Sequence, residues 1–398
     1  MSNDGLGPGV GVGIDNDSFE LFLDQLKRFV RERLVPAEES VIEANQIPEN
    51  LLQEMQEIGL FGLSIPECYG GAGLSISQYI DAIVELSWAA PAYRSVISIG
   101  NGIVCSALLN NGTDAQKEHW LSAIAKGAVA SFALTEPDSG SDSAALRTMA
   151  EKDGDDYILN GSKRYITNAP FADVILVMAR TSIEPLPKNA HISAFLIPAD
   201  TPGVHIGAPD KKMGMRGSQI ADVVLENVRV PASSLLGGIE GAGFQAAMHG
   251  LNNGRLSIAA ASLGYSRRAL DSAIRYAMDR KAFGEPIANF QLIQAKIADS
   301  QADIYAMDCM LRDVCTKMDR GDDIRLEASC VKMFASEACG KIVDRVVQIY
   351  GGAGYLQEYD AERFYRDSRV FRIFEGTTEI MQLVIAKSVL REYGHKVG

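Results

Sequence analysis

Apolar residues recur at helical spacing over the first third of the chain. Phe19, Phe22, Leu26, Phe29, Val30 and Leu34 fall mostly three or four positions apart, which places them on one face of a helix capped by Asp17 or Ser18 and stopped by Pro36. The same period predicts helices over 48–58, ahead of Gly59, and over 76–89, 93–110 and 114–125. Near Ala130 the pattern shortens. Apolar and β-branched runs at 156–159, 174–179, 192–197 and 221–230 alternate with Gly, Pro, Asn and Asp turns, as in a small β domain. After the glycine-rich stretch 237–243, helical periodicity returns in segments of about 25 to 35 residues, the length expected of bundle helices. The chain therefore reads as α+β, mainly α. Residues 1–16 form a flexible tail, 17–130 an amino-terminal helical domain, 131–240 a central small β-barrel-like domain and 241–398 a carboxy-terminal four-helix bundle.

Composition narrows the function. A length of 398 residues suits two or three packed domains, and 47% hydrophobic with 22% charged residues is a globular balance. The longest apolar runs fall short of the roughly 18 residues a membrane span needs, so no membrane insertion is expected. A net charge of -13 disfavours nucleic acid as a partner, because phosphate backbones are held by clustered Lys and Arg. The six cysteines lack C-x-x-C spacing and the five histidines do not cluster, so reduced thiols and no metal site are expected. The glycine-rich start lacks both a preceding strand and the pattern of a signal or transit peptide. It reads as neither a dinucleotide loop nor an export signal, and the expected location is cytoplasmic.

Four separated stretches carry a resemblance. They are A-L-T-E-P-D-S-G-S-D (133–142), G-S-K-R-Y-I-T-N (161–168), R-K-A-F-G (280–284), and Q-I-Y-G-G-A-G-Y continuing to F-E-G-T-T-E-I (348–380). In this order and spacing they resemble the acyl-CoA dehydrogenase family, over residues 19–393. The resemblance implies FAD as cofactor, an acyl-CoA substrate, electron-transferring flavoprotein as electron acceptor, and a homotetramer built as a dimer of dimers. The implied reaction is α,β-dehydrogenation of a fatty or short-chain acyl thioester. A base takes the α-proton and the flavin takes the β-hydride.

Glu375, in F-E-G-T, matches the family's catalytic glutamate, and Gly376 would let substrate lie against the backbone. By its local sequence alone, Glu375 could equally be a solvent-facing acid at a helix start. Some relatives place the base one residue before the arginine of a bundle helix; that position here is Gly254, which has no proton chemistry. The resemblance assigns flavin contacts to Thr135, Ser141, Tyr165, Ile166 and Thr167, and contacts to a neighbouring subunit's cofactor to Arg280, Phe283, Gln291, Gln348, Gly351 and Gly352. Thr377 and Glu379 match positions near the adenosine end. Tyr165, where the family has Trp or Phe, and Glu379, where Gln is common, depart from the pattern.

Arg255 matches an arginine near the CoA pantetheine and phosphate, and Ser141 could touch the same chain. Arg94 and Ser95, in Tyr93-Arg94-Ser95, resemble the segment of glutaryl-CoA dehydrogenases that holds a distal carboxylate, although Ser87 replaces the acid that accompanies that arginine. A helix-surface or domain-contact role for Arg94 stays open. So do three functions: a dehydrogenase, fatty-acyl or glutaryl in type; an acyl-CoA oxidase of similar fold; and a non-catalytic acyl-CoA-binding or assembly protein. The intact Glu375 argues against the last. The lack of an extra carboxy-terminal helical domain argues against the oxidase.

Overall fold

A computed structural model describes Gly11 and residues 13–395. The amino-terminal helices follow the apolar period closely. Asp15 caps the helix Asn16–Phe29 by accepting from the Ser18 N–H, and Thr113 caps Asp114–Ala125 in a reciprocal capping box with Gln116. Pro36 does not stop the first helix. A π-helical turn over Val30–Leu34 shifts the hydrogen-bond ladder, so the proline falls in the opening turn of Val35–Ala44, where an N–H is dispensable. A second π turn, Ile99–Val104, joins Pro91–Ser98 to Cys105–Asn111. The stretch Pro91–Asn111 is long and apolar enough to cross a membrane, yet it is 94% buried inside the protein as a core helix.

Of the expected flexible tail, residues 1–10 and 12 lie outside the described residues. The rest is tied down: Gly13 donates its N–H to the Gly73 carbonyl at 3.0 Å, and Ile14 exchanges hydrogen bonds with the Gln78 side chain.

The middle of the chain forms a curled seven-stranded sheet: β1 (Ala130–Ala133), β2 (Met149–Asp153), β3 (Asp156–Thr167), β4 (Val174–Arg180), β5 (Ile192–Pro198), β6 (Val204–Ile206) and β7 (Ile220–Pro231). β4 pairs in parallel with β1 and antiparallel with β5, while β3 runs antiparallel to both β2 and β7. The β3–β7 register slips between Lys163 and Ile166, where Tyr165 takes a left-handed φ of 60°. That bulge turns Tyr165 outward, leaving it 56% exposed in a strand whose Ile166 is in the core.

Helices Gly243–Asp279, Gln291–Asp319, Arg325–Tyr350 and Thr378–Glu392 form the carboxy-terminal bundle. The first is buried over most of its circumference because it packs against amino-terminal helices as well as its bundle neighbours. Small residues make that approach close: a Cβ on Gly264 would lie 2.2 Å from the Val84 carbonyl oxygen. Buried charge bridges the same boundary. Glu38 accepts from Arg268 and, at 2.8 Å, from Arg363, and it also accepts the Ala90 N–H at 2.7 Å. Asp367 accepts the Met215 N–H at 2.6 Å and the Tyr265 hydroxyl at 3.1 Å, tying the sheet domain to the bundle.

Candidate active site

Glu375 sits in the link between the turn Arg369–Arg372 and the helix that Thr377 caps. Its φ is 53° and that of Gly376 is 99°, two successive left-handed residues that turn the carboxylate inward. The side chain is only 13% exposed, so it is not the solvent-facing acid its local sequence would also allow. Gly254 faces it directly: a Cβ there would lie 1.8 Å from Glu375 Oε2.

Four other elements surround this carboxylate. Arg94, 4% exposed on the helix Pro91–Ser98, holds Nη2 3.8 Å from Glu375 Oε1 and donates from Nε and Nη2 to Ser257 Oγ at 3.1 and 2.8 Å. Arg255 and Ser257 come from the long bundle helix, Lys332 from Arg325–Tyr350, and Tyr79 from Ile76–Leu86. Burial raises the Glu375 carboxyl above the ordinary range, against the opposing pull of Arg94, Lys332 and Arg255. A raised carboxylate is better matched to accepting a carbon-bound proton near neutral pH. Glu375 Oε2 has no hydrogen-bond partner, and neither do the buried Arg255 Nε and Asn253 Oδ1. Free acceptor and donor atoms beside a charged cluster are what a substrate site requires, whereas a purely structural cluster would satisfy them internally.

The loop after β1 is organised by Glu136. Its carboxylate takes the Arg147 and Thr148 N–H groups at 2.6 and 3.0 Å and Lys163 Nζ at 2.7 Å. Burial alone would push Glu136 up, but Lys163 and these hydrogen bonds bring it below the usual range, while burial lowers Lys163 to about 8. Thr135 accepts the Arg164 N–H at 2.9 Å, which sets this loop against the β3 bulge and Tyr165. Thr167 holds its carbonyl to Ser131 Oγ at 2.8 Å, and Ser141 is exposed on the same loop as Glu136. The Ile166 side chain is buried, so only its backbone remains for a ligand.

A second constellation lies at the bundle edge. Arg280, Gly351, Gly352, Tyr276, Tyr350 and Tyr359 line a cavity of about 410 Å³. Phe283, in the two-stranded hairpin beside it, is 97% exposed with φ 53°, and Gln291 and Gln348 are exposed nearby in the chain. Thr377 spends its hydroxyl on the Ile380 N–H at 3.2 Å, and Glu379 points outward in the helix's first turn. Thus the structure brings Glu375, Gly376, Arg255 and Arg94 into one site. Ser95, the next residue, accepts at its Oγ from Ser218 Oγ at 2.8 Å across the domain boundary.

Sequence reasoning missed Lys332, Ser257, Tyr79, Glu136 and Lys163. A signal existed for Lys332: it shares the buried helical stripe of Ala328, Val331, Ala335 and Cys339, where a cation needs a reason to be. Ser257 and Tyr79 had none, since a serine and a tyrosine in apolar helices read as ordinary packing.

Comparison with known proteins agrees with this layout. The amino-terminal, middle and carboxy-terminal domain models of acyl-CoA dehydrogenases match residues 16–128, 131–228 and 241–390. The chain is 39% identical to the 3-(aryl)acrylate reductase of Clostridium sporogenes, covering 94% of this chain and 99% of that protein. It is 37% identical to the human mitochondrial short-chain specific acyl-CoA dehydrogenase, over 95% of this chain and 91% of the relative. The butyryl-CoA dehydrogenase structure from Megasphaera elsdenii superposes with a TM-score of 0.90 at 34% identity, covering 95% of this chain and 99% of that one. With all three domain models matched in order, the chain belongs to the acyl-CoA dehydrogenase family, FAD-dependent oxidoreductases acting on CH–CH bonds.

Proposed function

We propose that this chain dehydrogenates a short acyl-CoA thioester, with Glu375 removing the α-proton. The observation that carries this reading is the inward-facing Glu375 carboxylate: raised by burial, unpartnered at Oε2, and set against the open backbone of Gly254. Similarity to short-chain and butyryl-CoA dehydrogenases supports a short acyl chain.

The residues present fit FAD. Exposed Tyr165 and the Thr135–Thr167 surface offer an aromatic face and polar edges for a flavin ring. Arg280, the tyrosines and the Gly351–Gly352 backbone offer a cation, stacking surfaces and close approach for a pyrophosphate and adenine. When bound, FAD supplies the acceptor for the β-hydride. Arg280 lines the edge cavity, whose lining does not include Glu375, and Phe283 is almost fully exposed, which supports a cofactor held jointly with a neighbouring subunit in a homotetramer. Electron-transferring flavoprotein fits as the electron acceptor.

In the reaction, Glu375 Oε2 takes the α-proton, and the thioester oxygen, gaining negative charge as that proton leaves, accepts a hydrogen bond from the Glu375 N–H. Arg255 orients the CoA arm through its partly free guanidinium, and Gly254 and Gly376 keep the carboxylate's approach clear. Substrate binding displaces water from a site already rich in cations, which strengthens each of these contacts. Glu375→Gln tests the assignment, because it replaces the proton acceptor with an amide of nearly the same shape. Stopped-flow bleaching of the flavin by butyryl-CoA should disappear while flavin content and oligomer size persist. Rapid reduction in the variant would place the base elsewhere.

One observation favours a narrower substrate. Arg94 is buried beside Glu375 with a serine as its hydrogen-bonding partner and its nearest carboxylate 3.8 Å away. Such a guanidinium suits an acyl chain with a carboxylate at its far end, as in glutaryl-CoA.

A further inference from the structure

We infer that Lys332 is a positioning residue for the proton transfer: its ammonium anchors the Gly376 carbonyl beside Glu375 and favours the charged form of the base. This rests on the reading of Glu375 as that base. Lys332 is fully buried, and its Nζ donates to the carbonyl of Gly376, the residue immediately after Glu375. That carbonyl belongs to the Gly376–Thr377 peptide, directly after two residues that both hold left-handed φ, so Lys332 fixes the chain where it leaves the turn. The other side of the link is fixed independently. Thr377 caps the following helix, and Thr378 Oγ1 donates to Glu337 Oε1 at 2.6 Å, one helical turn beyond Lys332. Lysine and glutamate on one helix therefore hold two residues after the base, Gly376 and Thr378, on either side of the capping Thr377.

Charge points the same way. Facing Glu375 are Arg94, Arg255 and Lys332, with the neutral Tyr79 hydroxyl on the remaining helix. Facing Lys332 are Glu375, Arg255, Glu337 and Glu379. A guanidinium does not deprotonate in proteins near neutral pH, whereas burial brings the Lys332 ammonium down to about 8. Protonated, it favours the carboxylate form of Glu375 and so offsets part of the upward push of burial. Loss of its charge raises the Glu375 carboxyl further and moves the acid limb of turnover to higher pH.

The test compares Lys332→Met, Lys332→Gln and Lys332→Arg holoenzymes with wild type. The measured quantity is the first-order rate of anaerobic flavin reduction by saturating butyryl-CoA as a function of pH, alongside flavin content and thermal unfolding. Methionine removes donor and charge. Its rate should fall by roughly tenfold to a hundredfold, with the acid limb displaced upward by about one pH unit. Glutamine keeps a donor but no charge, so it should show the displaced limb with a smaller loss of rate. Arginine keeps the charge and should return the limb to its wild-type place even if its bulk slows the reaction. A methionine or glutamine variant with a wild-type limb overturns the inference. If neither neutral variant folds, a displaced limb in Lys332→Arg overturns it instead. Glu375→Gln run in parallel separates the two readings: reduction surviving that change removes the base assignment itself, whereas its loss together with unmoved Lys332 limbs removes only the role of Lys332.

Discussion

Gly254 and Glu375 occupy one another's space: a single methyl on Gly254 would stand 1.8 Å from Glu375 Oε2. The two residues lie on different elements, an interior turn of the long bundle helix and the link before the last helix. Both positions project into the same volume, and in this chain the glutamate fills it from one side while the glycine leaves room from the other.

Gly254→Ala follows as a prediction with opposite signs for stability and activity. In a helix interior alanine is favoured over glycine by about 0.8 to 1.0 kcal/mol, so the unfolding temperature should hold or rise. The same methyl must displace the carboxylate, and a misplaced base should slow flavin reduction by on the order of a hundredfold. Thermal unfolding and stopped-flow reduction on one preparation check both. Wild-type reduction in the variant would mean that Glu375 adopts another position during turnover.

The long helices and the longer strands were legible in the sequence because caps and period are local. Thr113 with Gln116, and the apolar run of β4, announce themselves within a few residues. The Pro36 stop misled because its remedy, a π turn, depends on ladder geometry that composition does not carry. β1, β2 and β6 were not predicted, since strands of three to five residues offer too few positions to show a period of two. At the site the motif identified Glu375 and Gly376. Its partners were hidden: Arg94 and Ser257 are 163 positions apart, and their hydrogen bonds exist only because the Pro91–Ser98 helix packs on the bundle. Ser95 illustrates the converse. It neighbours Arg94 in sequence, yet one residue along the helix turns its hydroxyl to Ser218 instead.

Arg280→Ala should release flavin while leaving the fold of each chain intact. The guanidinium lines the edge cavity with Gly351 and Gly352, and it is the cation there that could meet a pyrophosphate. Its removal should lower the flavin-to-protein ratio after dilution and gel filtration, and added FAD should restore colour in proportion to its concentration. Since the cavity is proposed to hold a neighbouring subunit's cofactor, loss of flavin should be accompanied by dissociation of the oligomer. An unchanged ratio would argue that the cofactor is held within one chain.

Arg94 makes the sharpest demand on substrate chemistry. Its guanidinium donates twice to Ser257 Oγ, and the nearby buried Tyr79 hydroxyl has no hydrogen-bond partner. A distal carboxylate on the acyl chain would neutralise the arginine, whereas a methyl end would leave its charge met only by a neutral serine and by Glu375 at 3.8 Å. Arg94→Met should therefore lower kcat/KM for glutaryl-CoA by about 2 to 5 kcal/mol of transition-state stabilisation and leave butyryl-CoA unchanged or improved. The 3.8 Å approach to Glu375 supplies the competing outcome. If Arg94 serves only to hold the base, its loss raises the Glu375 carboxyl and slows every substrate alike, with the deficit shrinking at higher pH as the base regains its charge. Wild-type preference for hexanoyl- or isobutyryl-CoA over glutaryl-CoA, or an equal loss on all three in the variant, would assign Arg94 to the base and leave the acyl end unread.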